Sequence, residues 1–95
     1  MQTYILLSEV TDQGAATIKK SPERIKEVNK EIEKLGAKVI EQWAVLGQYD
    51  FVNVLEAPDE ETIARVSVEL GSRGTIKIQT LTALPIEDFI QSFEE

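Results

Sequence analysis

The segment Gly47-Gln48-Tyr49-Asp50 sets a phenol beside a carboxylate in a short loop between two apolar runs. Together they could offer a hydroxyl and an anion to an amine bound at the edge of a cleft. Turn chemistry alone also accounts for these residue types, since glycine supplies a positive φ and aspartate accepts from turn amides. Asn53 is the most unusual polar residue, because it interrupts the run Phe51-Val52-Asn53-Val54-Leu55. An unsatisfied buried amide costs about 1–3 kcal/mol, so Asn53 must find protein, water or ligand atoms, with an interface hydrogen bond the expected outcome. Tyr4 and Trp43 carry large rings with polar tips, suited to packing with the tip turned to a partner or water, or to forming one wall of a pocket. Gly71-Ser72-Arg73-Gly74 has the glycines, hydroxyl and guanidinium of a phosphate site. It follows a helix C-terminus, however, where the dipole is negative, and it lacks the Lys-Ser/Thr of a P-loop. A glycine-capped connection is the better reading, with Arg73 open to a salt bridge or a carboxylate. The candidate ligand-binding residues are therefore Tyr4, Trp43, Tyr49, Asp50, Asn53 and Arg73.

Much other chemistry is excluded by composition. The 95 residues contain neither histidine nor cysteine, so thiolate nucleophiles, imidazole bases, Cys/His zinc sites and Ser-His-Asp arrangements are impossible. Asp59-Glu60-Glu61 reads as the acidic first turn of a helix and Glu94-Glu95 as a solvated tail. No carboxylate pair is placed well enough to hold a metal, and no cofactor is expected. The 17 acidic and 10 basic residues give a net charge of −7. That balance disfavours nucleic acid and an anionic membrane surface as partners. The apolar run Tyr4–Leu7 is too short for a signal peptide or membrane span, which makes the cytoplasm the expected compartment.

The elements that must carry these residues follow from periodicity. Residues 3–8 form a short, nearly continuous apolar run, expected as a strand buried on both faces. Asp12 is expected to cap a short helical turn reaching Ile18 and Lys19. Ser21-Pro22 looks like an N-cap and first helical position, followed by Ile25, Val28, Ile32 and Leu35 at helical spacing and Gly36 as the stop. Glu23/Lys26, Glu27/Lys30 and Glu31/Lys34 offer i,i+3 pairs outside. Residues 37–46 and 51–55 read as strands joined by the Gly47–Asp50 turn into a hairpin. In the first of them one parity is Val39, Glu41, Trp43 and Val45, the other Lys38, Ile40, Gln42, Ala44 and Leu46. A helix with Ile63, Val66 and Leu70 inside closes at Gly71. A last strand spans residues 75–84, and Pro85 starts a short helix bearing Ile86, Phe89, Ile90 and Phe93.

This order predicts a single α+β domain over residues 1–95, a ferredoxin-like βαββαβ sandwich with an antiparallel four-stranded sheet and a short C-terminal helix. In that topology the first and third strands are central, and they are the continuously apolar ones here. The second and fourth carry Lys38, Glu41, Lys77 and Gln79, as edges should. Two helices cover one sheet face only, yet Tyr4/Leu6 oppose Ile5/Leu7, and Phe51/Leu55 oppose Val52/Val54. Something must cover the second face: the C-terminal helix in part, and a second copy of the chain for the rest.

Leu46-Gly47-Gln48-Tyr49-Asp50-Phe51-Val52 resembles the Gly-x-Tyr-Asp segment of the GYD-domain family of small bacterial and archaeal proteins. The likeness continues through Tyr4-Ile5-Leu6-Leu7, Thr11-Asp12-Gln13-Gly14, Ser21-Pro22-Glu23-Arg24, Glu56-Ala57-Pro58-Asp59-Glu60 and Leu70-Gly71-Ser72-Arg73-Gly74. It implies a dimeric α/β-barrel of ferredoxin-like subunits in a family of largely uncharacterised role. A looser likeness is to the effector-binding domains of leucine-responsive-type regulators, which oligomerise and bind small molecules between subunits. The expectation is a homodimer or higher homo-oligomer acting as a small-molecule-binding or regulatory module with its site at the subunit interface. The alternative is a cofactor-independent enzyme on a small organic substrate, with Asp50, Glu56 or Tyr49 as base. That idea rests on fold analogy.

Overall fold

Apolar residues two apart in strands and three to four apart in helices put one stripe of each element into a shared core. The computed structural model describes residues 1–94; Glu95, read with Glu94 as a solvated tail, lies outside them. The elements are β1 (Gln2–Val10), α1 (Asp12–Lys20), α2 (Arg24–Lys34), β2 (Lys38–Ala44), β3 (Phe51–Ala57), α3 (Glu60–Gly71), β4 (Ile76–Ala83) and α4 (Ile86–Gln91). The sheet order is β2-β3-β1-β4, antiparallel throughout, so β1 and β3 are central as their double apolarity requires. This is the ferredoxin-like arrangement with two further helices, α1 after β1 and α4 after β4.

One sheet face meets the helices. Tyr4 and Leu6 of β1, Leu55 and Ala57 of β3, Ile32 of α2, and Ile63, Val66 and Leu70 of α3 form the buried core. Val28, Leu35, Val39, Ile76 and Ile78 pack around it half-buried. Fully burying such a side chain stabilises by about 1.5–3 kcal/mol, so this cluster is the main force closing the two layers. The α3 stripe has the expected spacing, and Asp59 begins the helix by accepting from the Thr62 amide at 2.9 Å and the Thr62 hydroxyl at 2.6 Å. These two bonds hold the Asp59 carboxyl below its ordinary pKa.

The helix starts near residues 11 and 21 differ from expectation. Thr11, not Asp12, caps α1, its hydroxyl accepting from the Gly14 amide at 3.1 Å. Ser21 closes α1 rather than opening α2, and α2 begins with no side-chain cap. The outer pairs also rearrange. Glu23–Lys26 forms at 3.7 Å, but Glu27 and Glu31 bind Arg24 because its longer, forked guanidinium reaches two turns at once.

Strand β2 contains an irregularity between Val39 and Glu41. The extra residue, Ile40, bulges out and reverses the parity of everything after it. Val39 faces the core, and past the bulge Gln42 faces it too, while Trp43 turns to the other side opposite Val52. The expected single-parity set Val39, Glu41, Trp43, Val45 is therefore split. Helix α4 does not close over the open sheet face either: Ile86, Phe89 and Ile90 are exposed, as is Phe93 beyond the helix. Phe89 and Phe93 stack edge to face at 5.2 Å instead. The molecule measures 54 × 29 × 19 Å, with a radius of gyration of 14.5 Å. A compact 100-residue domain has about 13 Å, so the shape is drawn out.

Candidate functional site

Two surfaces stand out, one on each side of the sheet. The first is the sheet face that no helix covers. Strand register puts Ile5 and Leu7 of β1, Val52 and Val54 of β3, Leu81 of β4 and Trp43 of β2 side by side there. Trp43 is 49% exposed and Leu81 38%, with the four central residues half-buried among their neighbours. Charged residues sit at its two ends as strand-register partners, Lys38 with Glu56 and Glu9 with Lys77, and Glu41 stands on the β2 edge opposite Val54. An apolar centre with a polar rim is the anatomy of a protein-protein interface.

The second surface is a cleft of about 260 Å³ between the sheet and helices α1 and α2. Its walls are apolar, with Leu6, Phe51 and Ile78 from the sheet and Ile18, Ile25 and Val28 from the helices. Into this setting the fold brings three amides. Gln42 donates to Asn53 Oδ1 at 2.8 Å and to Asn29 Oδ1 at 3.2 Å, and Asn29 donates back to Gln42 Oε1 at 2.8 Å. Asn53 donates to the Leu6 carbonyl at 3.2 Å, with Ser8 Oγ at 3.5 Å. Among the described residues no buried side-chain polar atom lacks a partner. At the lip, Glu31 of α2 takes both Arg24 and Arg73, and Arg73 also reaches Glu69 at 3.4 Å. The Arg73 hydrogen bond, then the two positive charges, hold the Glu31 carboxyl below its ordinary value despite partial desolvation.

The six residues singled out by sequence are spread over the molecule. Asn53 and Arg73 both line the cleft, Asn53 at its floor and Arg73 at its lip. Tyr4 is buried with its hydroxyl donating to Gln2 Oε1 at 2.8 Å on its own strand. Desolvation, then Glu60, Asp59 and Glu61 nearby, raise its pKa. Trp43 lies on the open sheet face, so its ring is not part of the core. Tyr49 bonds Gln79 Oε1 at 2.5 Å across the end of the sheet. Asp50 accepts from the Val10 amide at 2.8 Å while its own amide donates to the Ser8 carbonyl at 2.8 Å, strapping the hairpin loop to β1. Gly47 has φ 139°, the positive value that its turn needs. Tyr49, Asp50 and Glu56 are all outside the cleft lining.

Sequence reasoning missed Asn29, Gln42 and Ser8. Two signals could have found them. Reflecting the chain about Gly47-Gln48 pairs residue 42 with 53, the observed register. Asn29 stands one turn from Ile25 on the apolar stripe of α2, a polar residue on a buried helix face.

Residues 4–92 match the GYD domain family. A Thermus thermophilus protein named "Glutamine synthetase and cystathionine beta-lyase binding protein" is 56% identical over 91 residues, covering 95% of this chain and 96% of that one. The crystal structure of TTHA0845, also from Thermus thermophilus, aligns with a TM-score of 0.59 and 23% identity over 90% of this chain and 95% of that one. At that identity the likeness speaks to the fold alone.

Proposed function

The chain belongs to the GYD domain family, and from that membership and its bare sheet face we propose that it is a regulatory binding protein with no reaction of its own. It pairs with a second copy through the open face, and the dimer docks on metabolic enzymes. The observation that carries the self-pairing is the continuous apolar centre Ile5, Leu7, Val52, Val54, Leu81 and Trp43. Leaving it in water forgoes the burial that a partner would supply. Its charges, Lys38, Glu56, Glu9 and Lys77 at the two ends and Glu41 along the β2 edge, surround the apolar centre, so a second identical face can approach that centre about a twofold axis. The resulting sheet-on-sheet contact is a dimeric α/β-barrel. The enzyme-docking part is supported by the 56% identical relative, whose name states that it binds glutamine synthetase and cystathionine beta-lyase.

The test is biolayer interferometry with glutamine synthetase, and separately cystathionine beta-lyase, immobilised from the same source as this chain. Saturable binding of the wild-type protein to either enzyme is the expected result. No binding to either at tens of micromolar refutes the docking reading.

A further inference from the structure

We infer that the cleft between the sheet and helices α1 and α2 is a binding site for a small, uncharged, mainly apolar molecule carrying one amide-like hydrogen-bonding group. The site lies on the opposite side of the sheet from the proposed dimer face, and it stands whether or not that face is paired.

Three observations define the ligand. The first is size: an apolar cavity of about 150 Å³ takes benzene, so a 260 Å³ cleft has room for a single-ring molecule with a short substituent. The second is polarity. The three amides Asn29, Gln42 and Asn53 lie together on an otherwise apolar wall, joined by bonds of 2.8–3.2 Å. Each carbonyl oxygen accepts through two lone pairs, and among the described residues Gln42 Oε1 receives a single protein donor. A ligand N–H can use the second lone pair without breaking the cluster. Ser8 Oγ, also in the lining, supplies a hydroxyl to a ligand carbonyl.

The third is charge. The cations at the lip are engaged: Arg24 by Glu27 at 2.8 Å and by Glu31, and Arg73 by Glu31 and Glu69. Two guanidiniums and three carboxylates leave one net negative charge around the entrance. A carboxylate ligand would have to displace Glu31, and an ammonium would enter an apolar chamber with no carboxylate in its lining. Burying either ion without a partner is costly, whereas a neutral amide is not penalised in this way. The cleft thus selects by charge as well as by size.

An isosteric series tests this. Benzamide, benzoate and benzylammonium are titrated into the ¹⁵N-labelled full chain and followed by NMR, reading the side-chain amide signals of Asn29, Gln42 and Asn53. Benzamide is expected to shift those signals and to bind at least tenfold more tightly than either ion. Ile25→Trp, which fills the cleft from a half-buried position on α2, should abolish benzamide binding while leaving the backbone spectrum dispersed. Glu31→Gln leaves each guanidinium with one carboxylate instead of two and should improve benzoate binding severalfold with little effect on benzamide. The inference is overturned if benzoate binds as well as benzamide to the wild type, or if no probe binds at millimolar concentration. It is equally overturned if the shifted signals lie away from the cleft, if folded Ile25→Trp still binds benzamide, or if Glu31→Gln leaves benzoate affinity unchanged.

Discussion

Gly14→Ala sets two well-known effects against each other at one atom. Gly14 is buried in α1, and its helical backbone would accept alanine with a propensity gain of about 1 kcal/mol. The added Cβ, however, would stand 2.1 Å from the Thr75 carbonyl oxygen and 2.8 Å from Val10 Cγ1. Ordinary C···O contacts are no closer than about 3.3 Å, so α1 must retreat by roughly 1 Å. The carbonyl cannot swing aside freely, because it accepts from the Thr11 amide at 2.9 Å, beside the hydroxyl that caps α1. Overpacking of this kind costs about 1–3 kcal/mol, and a backbone obstacle places it at the upper end. After the propensity gain the net loss is about 1–2 kcal/mol, a fall in Tm of roughly 5–15 °C for a domain of this size. Gly71→Ala is the control: its Cβ would meet nothing within 4 Å, so the same substitution there leaves Tm level or raises it. Thermal melts followed by circular dichroism compare the two. If Gly14→Ala melts at or above the wild-type temperature, the close approach of α1 to Thr75, and with it one wall of the cleft, is misplaced.

Two further predictions concern the lip of the cleft and the open face. Glu31 has its native pKa below the ordinary 4.5, so its contribution to stability is present above about pH 4.5 and is lost as pH falls through the lower native value. Urea midpoints measured against pH should fall in that acid window for wild type, and Glu31→Gln should flatten the fall; an identical acid limb in both proteins contradicts the assignment. Trp43 is the sole tryptophan and stands half-exposed in the single chain. Its emission should shift to the blue as concentration rises through the dimerisation range, and a maximum that stays fixed across that range speaks against a covered face.

Much of this architecture was legible in the sequence because it depends on local pattern. β1 and β3 declared themselves central through apolar residues at both parities, and α2 and α3 through stripes at helical spacing. What was illegible depends on distant atoms. The bulge at Ile40 leaves no mark in the alternation of β2, yet it decides that Gln42 enters the cleft and Trp43 leaves the core. The helical turn expected from Asp12 to Lys19 is present as α1, but its seat is not local: Gly14 lets it lie against Thr75, far along the chain. Asn53 needs partners, but they are not the interface bond its sequence suggests: Gln42 on the neighbouring strand and the Leu6 carbonyl satisfy it within the chain, and Asn29 joins through Gln42, contacts whose register only folding sets. Tyr49 and Asp50 owe their places to Gln79 and Val10, contacts that no turn motif specifies.

The open sheet face is a surface we propose a second copy covers. Sedimentation equilibrium at micromolar concentration, on wild type and on Leu7→Lys, tests it most directly, since Leu7 lies at the middle of that face and its replacement need not disturb the core on the other side. The expected masses are twice the 10.7 kDa of the chain for wild type and the single-chain mass for a folded Leu7→Lys. A wild-type protein that sediments as one chain, or a Leu7→Lys protein that stays paired, contradicts the claim.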